Sequence, residues 1–224
     1  MMVLPGQSDS DIGLVSDIGN VLAFNDQSRL FESIREKLGI NGSSELSDER
    51  IAEVLLSSKE FLLFESGKIT DMDFFNYASA LLNPYGNKRL SFTAFVEAWN
   101  SPITAEGFNT EVAALYAKAI RAGHAFIQLS DTNNLHLDHA VALFPFVKNN
   151  PYVLSYFVKT TKPDPVMYGV AAGRMRMFPD KCVYVDDKAA NVQGAIDAGY
   201  KAAFQYTGDN AGLERFLKEQ GFRI

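Results

Sequence analysis

The chain has 224 residues, 47% of them apolar, and a net charge of −6, enough for one substantial core or for a core domain carrying a smaller insert. A single cysteine, Cys182, excludes an internal disulfide and a cysteine zinc site, and the acidic balance argues against a broad nucleic-acid or anionic-membrane surface. No apolar run approaches 18 residues and Met1 to Asp11 lacks signal-peptide regions, so a soluble, cytoplasmic protein is expected, with any anionic substrate held locally by a cation.

From Ser10 to Asn20 the pattern is a short apolar strand, Leu14-Val15-Ser16, followed by the turn-forming pair Gly19-Asn20. Roughly Asp26 to Pro102 reads as helices only. Leu30, Phe31, Ile34 and Leu38 fall at helical spacing and Gly39 is placed to end that helix. A second helix fits Ser47 to Ser57. A third begins at Thr70, whose spacing to Asp73 matches a capping box, and runs through Phe74, Tyr77, Ala78 and Leu81 to Asn83-Pro84. A fourth spans Ser91 to Asn100, with Phe92, Phe95 and Trp99 spaced like a buried face.

After Pro102 helices and strands alternate. Helices are expected at Thr110 to Ala122, Pro165 to Met175 and Lys188 to Ala198, and strands at Ala125 to Leu129, Val153 to Phe157, Val183 to Val185 and Ala202 to Tyr206. Such repetition implies an α/β fold, a doubly wound parallel sheet with helices on both faces. The core is then residues 1–24 and 103–224, and residues 25–102 form an inserted helical subdomain. Because the insert leaves from the carboxyl edge of the first strand, it can act as a lid.

Three of the apolar strands end on residues suited to phosphate chemistry: the first on Asp17, the second on Ser130, the third on Asp186 and Asp187, with Lys162 between the last two. Parallel sheets gather ligands at the carboxyl ends of their strands, so these distant residues are expected to share one crevice. Asp17, Asp186 and Asp187 would crowd three carboxylates together. A like-charged pair at 4 Å costs about 4 kcal/mol at an effective dielectric near 20, which a divalent cation relieves.

Asp17-Ile18-Gly19-Asn20-Val21-Leu22, Leu129-Ser130-Asp131-Thr132-Asn133, Thr161-Lys162-Pro163-Asp164 and Val185-Asp186-Asp187-Lys188-Ala189-Ala190-Asn191 stand in the order of four motifs of the haloacid dehalogenase (HAD) superfamily, which the chain resembles over roughly residues 12–206. The resemblance is closest to the small phosphatases that begin Asp-x-Gly-Asn-Val, such as the bacterial α-glucose-1-phosphate phosphatases, and to the phosphatase domain of soluble epoxide hydrolase. Glu65-Ser66-Gly67-Lys68-Ile69-Thr70, leading to Phe74, looks like the helical C1-type cap of that group. The resemblance implies a Rossmann-like core and a magnesium-dependent phosphomonoester hydrolase acting on a small phosphorylated metabolite. Asp17 would be the nucleophile that becomes an aspartyl phosphate; Ser130, Asp131 and Lys162 would surround the phosphate. The metal would be held by the Asp17 and Asp187 carboxylates and the Gly19 carbonyl, with Asp186 acting through water.

Two positions depart from the commonest pattern. Gly19 stands where a second aspartate serves as general acid and base, a function typically worth 10²–10⁴-fold. Asp131 stands where close relatives carry asparagine, and its carboxylate would repel phosphate unless it turned away or took a proton. These departures keep open a binding or regulatory role with little turnover, and a dehalogenase reading in which Asp17 attacks carbon also stands. His136 and His139 could offer a proton, although solvated positions explain them as well, and Gly67-Lys68 lacks the rest of a phosphate-binding P-loop.

Overall fold

The computed structural model describes residues 11–41 and 45–224. The stretch Met1 to Ser10, which belongs to the expected core and to the segment read for a leader, lies outside the described residues. In chain order, β1 (Gly13–Ser16) and β2 (Ala23–Asn25) precede five helices, α1 (Gln27–Leu38), α2 (Asp48–Leu56), α3 (Lys59–Glu65), α4 (Asp71–Leu82) and α5 (Phe92–Asn100). Then follow β3 (Ile103–Phe108), α6 (Thr110–Arg121), β4 (Ala125–Ser130), α7 (Asn134–Leu143), α8 (Pro145–Asn149), β5 (Tyr152–Leu154) and α9 (Ser155–Val158). The chain closes with α10 (Pro165–Arg174), β6 (Cys182–Asp186), α11 (Ala189–Asp197), β7 (Ala202–Gln205) and α12 (Asn210–Gln220).

Five strands form one parallel sheet in the order β5-β4-β1-β6-β7. Alternation along each strand divides the core into two layers, as a period of two requires. Leu14, Phe126, Val183 and Val185 pack with α6 and α12 residues on one face, while Val15, Ile127 and Tyr184 pack with Met167, Tyr168 and Ala171 of α10 on the other. The expected doubly wound parallel sheet is therefore the architecture observed.

Helices α1 to α5 share an apolar cluster of their own, built on Ile34, Leu55, Phe64, Phe74, Phe95 and Trp99. Each begins with a side-chain cap: Asp26, Ser47, Ser58, Thr70 and Ser91 accept from backbone amides of the first turn, and Thr70 with Asp73 completes a capping box. Gly39, at φ 70°, ends α1. The chain enters this block through β2 and returns through β3, which pair antiparallel.

Several elements were not anticipated: β2 and β3, helix α3, and helices α7, α8 and α12. One expectation is corrected. The strand read over Val153 to Phe157 stops at Leu154, because its partner β4 ends at Ser130, opposite Leu154, and offers nothing further to pair with. Ser155 instead opens the short helix α9.

Candidate active site

The site is assembled by strand register. Ser16 of β1 lies opposite Gln128 of β4 and Val185 of β6, so the residues that follow these strands emerge side by side at one edge of the sheet. The Asp17 amide continues the ladder by donating to the Val185 carbonyl at 2.8 Å. Asp17, Ser130, Lys162 and Asp186 are all buried there. They line a cavity of about 290 Å³ together with Gly19, Asp131 and Asp187, apart from Asp186, which lies beneath it.

Lys162 is the pivot. Its Nζ lies 2.9 Å from Asp17 Oδ1 and 2.8 Å from Asp186 Oδ2, and it donates to the Leu129 carbonyl at 3.1 Å. Burial opposes its charge, yet Asp17, Asp186 and Asp131 outweigh burial and hold its pKa above the usual lysine range. Behind it, Asp186 is saturated with donors: the Tyr184 hydroxyl, the Lys188 amide at 2.8 Å and the Asn191 amide group at 3.0 and 3.1 Å from its two oxygens. Burial raises its pKa, but Lys162 and these bonds prevail and keep it ionised. Tyr184 was not singled out in the sequence, although period-two alternation puts it on the same face of β6 as Asp186.

Asp17 is less settled. Its Oδ1 accepts from Lys162 and from the Ile18 amide at 2.7 Å, and its other oxygen has no protein donor among the described residues. Burial and the Asp186 carboxylate overcome Lys162 and push its pKa up to about 7. Asp17, Asp186 and Asp187 each offer a carboxylate oxygen within 4.8 Å of the others. Two such charges repel by about 3 kcal/mol at an effective dielectric of 20, and one lysine cannot neutralise three. Oxygen donors with surplus negative charge match a hard divalent cation. Asn20 steadies the rim of this cluster, its Nδ2 donating to Asp187 Oδ2 at 3.0 Å from a left-handed turn at φ 53°.

Asp131 lines the cavity with one carboxylate oxygen already engaged. Its Oδ1 accepts from the Lys162 amide at 3.0 Å, tying the serine loop to the lysine loop, and burial raises its pKa. The two histidines are structural rather than solvated. His136 stacks on Trp99, ring centres 4.7 Å apart, and its Nε2–H donates to the Trp99 carbonyl at 2.9 Å; burial drives its pKa down to about 4, so the ring is uncharged at neutral pH and its one N–H is engaged by that carbonyl. His139 bonds the Ile103 carbonyl at 3.0 Å. Trp99 belongs to the apolar cluster of the helical block and is also part of the cavity wall.

One acid in the cavity has no role assigned from the sequence, where it only opens the cap-like stretch Glu65 to Thr70. Glu65, the last residue of α3, is half-buried in the wall, and no hydrogen-bond or ion-pair partner for its carboxyl is present among the described residues. Burial pushes its pKa up to about 8, with Asp131 adding and Lys188 and Lys162 opposing. Its signals in the sequence are its place at the head of that stretch and between the apolar Phe64 and the turn-forming Gly67.

No family model matches the sequence. Among solved structures, a HAD family enzyme from Bacteroides thetaiotaomicron is 24% identical, with a TM-score of 0.73 over 90% of this chain and 97% of its own; that enzyme has also been crystallised with magnesium and inorganic phosphate. A HAD phosphatase from Thermococcus onnurineus is 15% identical, TM-score 0.65, over 95% of this chain and all of its own (100%). The L-2-haloacid dehalogenase RSc1362 is 16% identical, TM-score 0.61, over 92% and 98%.

Proposed function

We propose that this chain, which has the fold of the haloacid dehalogenase superfamily, is a magnesium-dependent phosphomonoester hydrolase working through an aspartyl phosphate on Asp17. The observation that carries this reading is the Lys162 ammonium held between Asp17 and Asp186, at 2.9 and 2.8 Å, beside a third carboxylate. A hydrolase that displaces halide from carbon has no use for three converging carboxylates, whereas a phosphoryl group brings negative charge that needs cations on several sides.

The residues divide the work. Asp17 offers phosphorus the oxygen that no protein donor occupies among the described residues. Lys162 neutralises nucleophile and phosphoryl oxygens together, and Asp186, locked by Tyr184 and Asn191, keeps the ammonium in place. Ser130 would donate its hydroxyl to the phosphate, and Asp131 would hold the Lys162 loop in register. Asp17, Asp187 and the Gly19 carbonyl would hold magnesium, with Asp186 behind them; when bound, the ion supplies charge neutralisation for the ester and for the attacking carboxylate. Residues 25–102 act as a cap over a core of residues 1–24 and 103–224, and the cavity of about 290 Å³ suits a small metabolite such as a sugar phosphate. The reducing cytoplasm fits the lone, buried Cys182.

The test is a phosphate-ester panel with and without a chelator. Wild-type protein is expected to release phosphate only with magnesium, and Asp17→Asn to lose at least about 10³-fold in kcat/KM. An Asp17→Asn variant as active as wild type, or chelator-resistant turnover, overturns the reading; the latter with halide release favours the dehalogenase.

A further inference from the structure

We propose that Glu65 is the general acid and base of this reaction, supplied by the helical block in place of the carboxylate that Gly19 does not provide. The inference rests on the aspartyl-phosphate reading above and adds the proton carrier that reading lacks.

Glu65 shares the cavity with Asp17, Ser130 and Lys162. Its backbone is fastened to the core from two sides. Ser155 Oγ donates to the Glu65 carbonyl at 2.6 Å, and Lys159 Nζ donates to the Gly67 carbonyl at 2.7 Å. Gly67, at φ 60°, brings the chain so close that a Cβ would lie 2.3 Å from the Tyr156 carbonyl oxygen, an approach open only to glycine. All four acids of the cavity floor accept hydrogen bonds from protein donors; the Glu65 carboxyl accepts none among the described residues. A half-buried, unpaired carboxyl favours its neutral form. The charged groups around it are Asp131, Lys188, Lys162 and Asp17, and together with burial they leave it protonated at neutral pH.

The proton balance closes. Asp17 attacks phosphorus, the bond to the leaving oxygen breaks with its electron pair on that oxygen, and the Glu65 proton passes to it, giving an alcohol, the aspartyl phosphate and the Glu65 carboxylate. Water then attacks phosphorus as Glu65 takes its proton. The bond to Asp17 breaks, its electron pair returns to the carboxylate, and inorganic phosphate leaves with Glu65 protonated again.

The experiment compares Glu65→Gln with wild type on an alkyl phosphate, whose alkoxide needs a proton, and on p-nitrophenyl phosphate, whose phenolate does not. Because kcat/KM reads only through enzyme phosphorylation, Glu65→Gln should lose about 10²–10⁴-fold on the alkyl ester and less than about 10-fold on the aryl ester. A burst of nitrophenolate followed by slow turnover should expose the lost base. The cavity has room for a replacement acid, since a Cβ on Gly19 would meet only Asn25 Nδ2 at 3.5 Å. Gly19→Asp in the Glu65→Gln background should therefore restore the alkyl ester preferentially. In metal-free protein, carbon NMR of labelled glutamates should show a carboxyl titrating near pH 8 that Glu65→Gln removes. Equal losses on both esters, or none, overturn the Glu65 role while leaving the phosphatase reading intact. Failure of wild type on every ester defeats the phosphatase reading and this inference together.

Discussion

The floor of the cavity and its roof handle charge in opposite ways. On the floor, at the ends of β1, β4 and β6, every acid accepts a bond from a cation or a backbone or side-chain donor, and Lys162 alone serves two of them. On the roof, Glu65 stands unpaired among the described residues, on a segment anchored by its backbone rather than by its side chain. The difference teaches that preorganised charge and mobile protons call for different surroundings. Groups that must hold a fixed charge are surrounded by donors, whereas a group that trades protons near neutral pH has to be enclosed and left alone.

The sharpest way to break this contrast is to empty the floor. Lys162→Met would leave Asp17 and Asp186 buried without their cation, and metal-free protein should lose about 3–5 kcal/mol in urea unfolding at neutral pH. A loss below about 1 kcal/mol would show that the ion pairs are not what holds the floor together.

The roof is tested next through pH. The Glu65 pKa is raised by folding from 4.5 to about 8, so the folded protein binds the proton more tightly. Its contribution to stability is complete below about pH 4.5 and is lost as pH rises through 8. Wild-type protein without metal should therefore weaken between pH 5 and 9 by about 4 kcal/mol more than Glu65→Gln, read from denaturant midpoints at each pH. Parallel pH curves for the two proteins would remove the distinction between roof and floor.

Anchoring effects are smaller. Gly67→Ala forces a Cβ toward the Tyr156 carbonyl at positive φ and should cost about 1–3 kcal/mol, with turnover falling because α3 can no longer seat. Ser155→Ala removes the bonds to the Glu65 and Thr132 carbonyls and the acceptor of the Thr132 amide, and should cost about 1–3 kcal/mol by thermal unfolding while slowing alkyl esters more than aryl esters. Magnesium at 100 times its Kd should stabilise wild type by about 2.7 kcal/mol, and Asp187→Asn should abolish most of that gain.

The local rules of the chain determined a great deal by themselves. Alternating apolar runs ending on Asp17, Ser130, Asp186 and Asp187 were visible because strand period and the carboxyl-edge rule of parallel sheets need no knowledge of neighbours. Helices α1, α2, α4 and α5 were legible for the same reason: their hydroxyl or acidic caps and spaced apolar faces are contiguous. What stayed hidden depends on partners far along the chain. Asp131 looked like a charge facing phosphate until the Lys162 amide, 31 residues away, claimed its oxygen. His136 looked solvated until Trp99 covered it. Helix α3 is only seven residues long, too short to declare itself by period, and its terminal Glu65 reaches the cavity because Ser155, 90 residues later, accepts the task of holding its carbonyl. The sequence thus determined which acids end the strands, through interactions a few residues in range. Only tertiary structure decided that those acids are held by donors while Glu65, at the end of a helix, is left unpaired among the described residues, because burial and long-range donors set that balance.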